Sequence, residues 1–173
     1  LVVWRDADVR RAVEIIVASA LPNNGQICTS AGRVLAHESI APDLLSSLIE
    51  AFGSREAGDF GILSSRQAHD RISSVLDANA DDAREIVRAP WPEQLMAPTI
   101  VVEPKPGPWT EEEIFGPVVT FETFADLDQA LALANGTRYG LTAGIVTRDI
   151  DVANRFAAES TAGTVKVNSP LTG

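Results

Sequence analysis

A chain of 173 residues, 45% hydrophobic and 22% charged, has the length and composition of one globular domain with a sizeable core. Its net charge of -10 argues against nucleic acid or an anionic membrane surface as partner, because such partners require clustered Lys and Arg. One cysteine cannot form an internal disulfide, and no apolar run approaches the ~18 to 20 residues of a membrane helix, so a cytoplasmic setting is expected.

The chain opens on an apolar run, Leu1-Val2-Val3-Trp4, which reads as a buried strand. It stops soon after a second such run, Gly163 to Asn168, and this pairing predicts a fragment of a longer protein. Asp6-Ala7-Asp8 places carboxylates at a helix N-terminus, and Val9, Ala12, Val13, Ile16, Val17 and Ala20 follow at helical spacing until Leu21-Pro22. This helix feeds the stretch Asn23 to Arg33, which holds Cys28, the only thiol, between Gly25 and Gly32. The two glycines free the backbone to present Cys28 on a tight loop, where it serves as a nucleophile; the competing reading is a small, inert, buried side chain.

Residues 32–37 read as a strand, Pro42 to Phe52 as a helix ended by Gly53, and Ser65 to Ala78 as a further helix. Short extended runs follow at Glu85 to Ala89 and Thr99 to Val102. The proline-rich stretch Ala89 to Trp109 reads as an irregular connection interrupted by that one strand. Val118 to Phe124 is a strand, Asp126 to Ala134 a helix capped by Asp126, Leu141 to Thr147 a strand, and Asp149 to Glu159 the last helix. Strands alternating with helices predict an α/β fold: right-handed crossovers and a mostly parallel sheet with helices on both faces.

Two stretches are more specific than packing requires. Glu111-Glu112-Glu113-Ile114-Phe115-Gly116-Pro117-Val118 sets three carboxylates before an apolar pair and a rigid turn. Such a triplet is either a solvated acidic surface or the source of a carboxylate that accepts hydrogen bonds from a sugar's hydroxyls. The other, Ala134 to Thr147, joins a helix stop to a Gly-rich strand entry and taken alone is structural. His37 and His69 lie in ordinary elements without metal-like spacing, so no metal is expected.

Taken together, these segments resemble the cysteine-bearing catalytic domain of the aldehyde dehydrogenase superfamily. The family's Gly-Gln-x-Cys, with Arg five residues on, is matched by Gly25, Gln26, Cys28 and Arg33. Its Glu-Glu-Ile-Phe-Gly-Pro-Val is matched at Glu112 to Val118, its Tyr-Gly-Leu at Tyr139 to Leu141, and its closing Gly-x-Val-x-Val-Asn at Gly163 to Asn168. The resemblance implies that Cys28 is the catalytic nucleophile, attacking an aldehyde to give a thiohemiacetal and then a thioester that water hydrolyses. It implies that Glu113 holds the ribose hydroxyls of NAD or NADP, with Phe115 packed near the nicotinamide. Ile27 and Thr29, flanking Cys28, and Asn168 are substrate-pocket candidates, with Thr29 equally able to bond only its own backbone; Arg33 reads as a structural charge beneath the loop, the competing reading being a substrate ligand, and Gln26 is expected to fix the turn.

The resemblance also marks absences. The family's Gly-rich nucleotide domain, the Asn that completes the oxyanion site and the Glu-Leu-Gly-Gly segment are not in this sequence. Residues 1–173 are therefore expected to be a single catalytic domain without the preceding NAD(P)-binding domain and the oligomerisation strands, from a parent homo-oligomer acting on a small aldehyde. The family's aromatic-Pro-Thr approach is reduced here to Met96-Ala97-Pro98-Thr99. A cofactor-independent thiol esterase or acyltransferase, and a non-catalytic structural domain, are the alternatives.

Overall fold

The computed structural model describes residues 1–56, 58, 60, 62–92 and 95–172. Seven strands form one sheet in the order β3-β4-β5-β2-β1-β6-β7. They are β1 (Val2–Val3), β2 (Arg33–His37), β3 (Ala83–Arg88), β4 (Thr99–Pro104), β5 (Val118–Phe124), β6 (Thr142–Val146) and β7 (Thr164–Val167). All neighbours pair in parallel except β3 and β4, which are antiparallel at one edge. The expected mostly parallel α/β sheet is thus the observed one, with its alternation of strand and helix broken where α3 (Arg66–Ala78) follows α2 (Ala41–Gly53) and where β3 runs straight into β4.

Successive strand residues face opposite sides, and the core divides accordingly. Val3, Val34, Ala36, Ile100, Val102, Val119 and Phe121 pack against α1 (Val9–Ala20) and α2 (Ala41–Gly53), through Ile15, Ile16, Leu44, Leu48 and Phe52. On the other face, Val2, Leu35 and Ile145 pack against α5 (Leu127–Asn135) and α6 (Ile150–Glu159), with Phe156 fully buried. Val101 and Val118 lie farther along that face, under α3 (Arg66–Ala78), against Ile72 and Leu76. Helices therefore cover both faces.

The helix starts follow from local chemistry. Asp8, Ser65, Asp126 and Asp149 sit outside the first turns of α1, α3, α5 and α6, and each side chain accepts a backbone N–H that the helix itself leaves unpaired. α2 begins at Ala41, one residue before the expected Pro42, and takes Gly53 into its last turn. The proline-rich stretch is more regular than the sequence predicts. β4 runs to Pro104, and a one-turn helix, α4 (Pro108–Glu111), follows with Pro108 at its start, where a missing N–H is harmless. Trp109 anchors that turn: it is buried, and its indole N–H donates to the Asn79 carbonyl at 3.1 Å.

Candidate active site

The Cys28 loop is built on left-handed backbone. After α1, the residues Asn23, Asn24 and Gly25 have φ values of 51, 55 and 69°, a region that Asn and Gly enter most readily. Gly25 is required for a second reason: a Cβ there would stand 2.2 Å from the Gly116 carbonyl oxygen. The backbones of the cysteine loop and of the Glu-Ile-Phe-Gly segment thus touch, which only a residue without a side chain permits. Gln26 then clamps the turn. Its amide donates to the Asn23 carbonyl at 3.2 Å and its carbonyl oxygen accepts from the Ser64 N–H at 2.8 Å.

Cys28 and Thr29 occupy the middle of a tight turn closed by the Ser30 N–H, which donates to the Ile27 carbonyl at 2.8 Å. The Ala31 N–H bonds the Ser19 carbonyl at 3.0 Å, fastening the far side of the turn to α1. Cys28 is exposed, and its own N–H donates to no acceptor among the described residues. A solvent-facing thiol beside an unspent backbone donor is the arrangement that nucleophilic attack on a carbonyl needs.

The second wall is the segment leading into β5. Glu113 presents a carboxylate that makes no hydrogen bond or ion pair among the described residues, while its N–H donates to the Tyr139 hydroxyl at 3.4 Å. Phe115 is held at φ 54°, a conformation that costs a side-chain-bearing residue roughly 1–3 kcal/mol, and the residue remains 40% exposed. Its neighbours hold it there. The Ile114 carbonyl accepts from the Arg71 guanidinium, and Gly116 lies against Ile72 of α3 so closely that a Cβ would stand 2.5 Å from the Ile72 Cδ1.

Both walls, with the approach to β6, enclose a cleft of about 200 Å³. Ile27, Cys28, Glu113, Phe115, Tyr139 and Leu141 line it. Because β5, β2, β1 and β6 run parallel, the loops that enter them share one edge of the sheet, and the cleft lies along that edge. Beneath it, Arg33 grips Glu122 with Nε at 3.2 Å and Nη2 at 3.4 Å, and gives Nη1 to the Leu133 carbonyl at 2.8 Å. The guanidinium is spent on this structure, as its predicted supporting role requires.

The family model for the aldehyde dehydrogenase family matches residues 1–173. The chain belongs to the aldehyde dehydrogenase family. It is 32% identical to a mitochondrial aldehyde dehydrogenase of Leishmania tarentolae over 98% of its length, which is 36% of that relative. It is also 32% identical to a peroxisomal aminoaldehyde dehydrogenase of Malus domestica, over 97% of the chain and 36% of that relative. Among solved structures, PnpE from Pseudomonas sp. WBC-3 superposes with a TM-score of 0.92 at 28% identity, covering 98% of the chain and 38% of PnpE. A 1-pyrroline-5-carboxylate dehydrogenase from Thermus, solved with bound NAD, gives 0.91 at 27% identity, over 99% of the chain and 35% of that protein. The chain therefore spans little over a third of the aldehyde dehydrogenases it matches.

Other anticipated residues of this aldehyde dehydrogenase chain fall outside the cleft lining. Thr29 is half-buried beside Cys28. Asn168 follows β7 at the opposite edge of the sheet with φ 53°, and its side-chain amide pairs both ways with the Thr147 backbone, at 3.0 and 2.8 Å. It joins the ends of β6 and β7. His37 is buried between Trp4 and Phe124 at the far end of β2, and among the described residues no group of three or more potential ligands is placed to hold a metal. No helix among them is long and apolar enough to cross a membrane. What the sequence did not single out is the cluster of Glu112, Arg138 and Tyr139. Tyr139 was visible as part of a motif, but nothing in its spacing tied it to residues 26 positions earlier.

Proposed function

We propose that the chain is the catalytic domain of an NAD(P)-dependent aldehyde dehydrogenase that oxidises a small aldehyde to a carboxylic acid, with Cys28 as nucleophile. One arrangement carries this: an exposed thiol on a braced turn, its own N–H unspent, facing across a cleft a free carboxylate and a half-exposed ring. The Cys28 thiol loses its proton to solvent, the thiolate sulfur bonds to the aldehyde carbon as the C=O π electrons move to oxygen, and the Cys28 N–H meets the resulting negative charge with a hydrogen bond. When bound, a nicotinamide nucleotide supplies the acceptor for the hydride that leaves the tetrahedral carbon as its C=O re-forms. Cys28 then holds the acyl group as a thioester. Water adds to it, the carbon–sulfur bond breaks, and the acid leaves with the thiol restored.

The cleft fits such a nucleotide in chemistry. The Glu113 carboxylate is an acceptor without a partner, suited to a ribose diol, and the Phe115 ring offers a flat apolar surface for a nicotinamide. The NAD complex of the Thermus relative supports a cofactor of this class. Residues Glu113 and Phe115 would position the nucleotide, while Ile27 would line the aldehyde's side of the cleft.

The test is Cys28→Ala in the full-length protein. Loss of nucleotide-dependent aldehyde oxidation by at least ~10³-fold, with an unchanged unfolding midpoint, is expected for a covalent nucleophile. Retained oxidation would overturn the proposal. Ester hydrolysis by the unaltered 173-residue chain, lost in Cys28→Ala without any nucleotide effect, would favour cofactor-independent acyl transfer instead.

A further inference from the structure

The segment Glu112 to Phe115 belongs to no helix or strand, yet it carries the two residues assigned above to the cofactor. On its α3 side Ile114 packs against the cluster that includes Ile72 and its carbonyl accepts from the Arg71 guanidinium, while Phe115 is 40% exposed. Polar contacts from the loop before β6 brace its other side. Arg138 forms an ion pair with Glu112, donates from Nη2 to the Tyr139 hydroxyl at 3.0 Å, and lies over the Tyr139 ring at 5.1 Å from its centroid. The same hydroxyl accepts the Glu113 N–H. One tyrosine oxygen and one guanidinium thus join residues 112 and 113 to residues 138 and 139.

We propose that Arg138 is a positioning residue that selects which of two adjacent cleft-lining carboxylates, Glu112 or Glu113, faces the cofactor. Glu111 ends α4 outside the cleft lining, whereas Glu112 and Glu113 both line the cleft and repel one another. By pairing with Glu112, Arg138 removes one from competition, and Tyr139 fixes the backbone beside the next, leaving the Glu113 carboxylate unpartnered on the cleft. The guanidinium suits this task, since its Nη2 bonds both the Glu112 carboxylate and the Tyr139 hydroxyl while its carbon lies 5.1 Å from the ring centroid. The inference rests on the cofactor role proposed for Glu113 and Phe115.

The experiment compares the unaltered full-length protein with Arg138→Met, Arg138→Lys and Glu112→Gln. Amide exchange of residues 111–116 is followed by mass spectrometry, reduced-nicotinamide-nucleotide Kd by fluorescence, and the active-site turn by the rate of Cys28 alkylation. Arg138→Met and Glu112→Gln are each expected to weaken nucleotide binding roughly two- to five-fold, the scale of an exposed ion-pair network. Both should speed exchange at residues 112–115 and leave the alkylation rate and unfolding midpoint unchanged. Arg138→Lys should recover part of the affinity. Unchanged exchange and Kd in Arg138→Met would overturn the proposal, as would a loss of affinity matched by faster alkylation and a lower midpoint, the sign of general loosening. If the unaltered protein binds no nicotinamide nucleotide, the cofactor role falls, and exchange at residues 112–115 alone decides whether Arg138 positions the segment.

Discussion

Gly25 couples the Cys28 loop to the segment that carries Glu113 and Phe115, and it does so by having nothing to add. Its φ of 69° disfavours any side chain, and the space a Cβ would need is filled by the Gly116 carbonyl at 2.2 Å. Gly25→Ala must therefore strain the backbone, at roughly 1–3 kcal/mol, and also push the two cleft walls apart. The expected outcome is a lower urea midpoint together with altered Cys28 alkylation. Gly53→Ala is the control. Gly53 closes α2 with open space where its Cβ would go, so that change should be neutral or slightly stabilising. Equal midpoints for the two variants would remove the steric argument for Gly25.

At the scale of elements, the Arg33–Glu122 pair joins β2, β5 and the end of α5 under the cleft. Both side chains are largely buried, 20% and 11% exposed, and Thr120 adds a hydroxyl to the Glu122 carboxylate at 3.2 Å. Removing one partner strands a charge. Glu122→Leu is expected to cost about 3–5 kcal/mol in denaturant unfolding, and the double variant Arg33→Met with Glu122→Leu distinctly less; equal losses would show that the pair is not coupled. Elements such as α5 were legible from sequence because their determinants are local: Asp126 caps, Gly136 follows, and the apolar residues recur at helical spacing. α4 was not, since prolines read as breakers until Trp109 finds its pocket and makes one turn worth forming. The same limit applied at the site. Cys28, Glu113 and Phe115 stood out as motifs, whereas the contact of Gly25 with Gly116 and the bond from Glu113 to Tyr139 depend on strand order across the sheet, which local patterns do not carry.

For the whole molecule, the position of the cleft sets what the chain can do by itself. In open α/β sheets nucleotides usually sit at the carboxyl ends of the strands, often against a Gly-rich loop and a helix N-terminus. Here the cleft lies at the amino ends, its rim bears the exposed Phe115, Tyr139 and Leu141, and no such Gly-rich phosphate loop occurs in the sequence. Its volume of about 200 Å³ is below the roughly 300–1,000 Å³ of pockets that enclose a drug-sized ligand. Under the proposed assignment it would take the aldehyde and only one end of a dinucleotide. The 173-residue chain alone is accordingly expected to bind a nicotinamide dinucleotide at least tenfold more weakly than the full-length protein does, and to show no nucleotide-dependent aldehyde oxidation, while Cys28 remains open to alkylation. Titration of both forms with the reduced nucleotide, beside alkylation followed by intact mass, checks all three. Affinity equal to that of the full-length protein would mean that this edge of the sheet supplies the whole nucleotide site. Loss of Cys28 reactivity along with binding would mean instead that the turn depends on contacts beyond these residues to keep its shape.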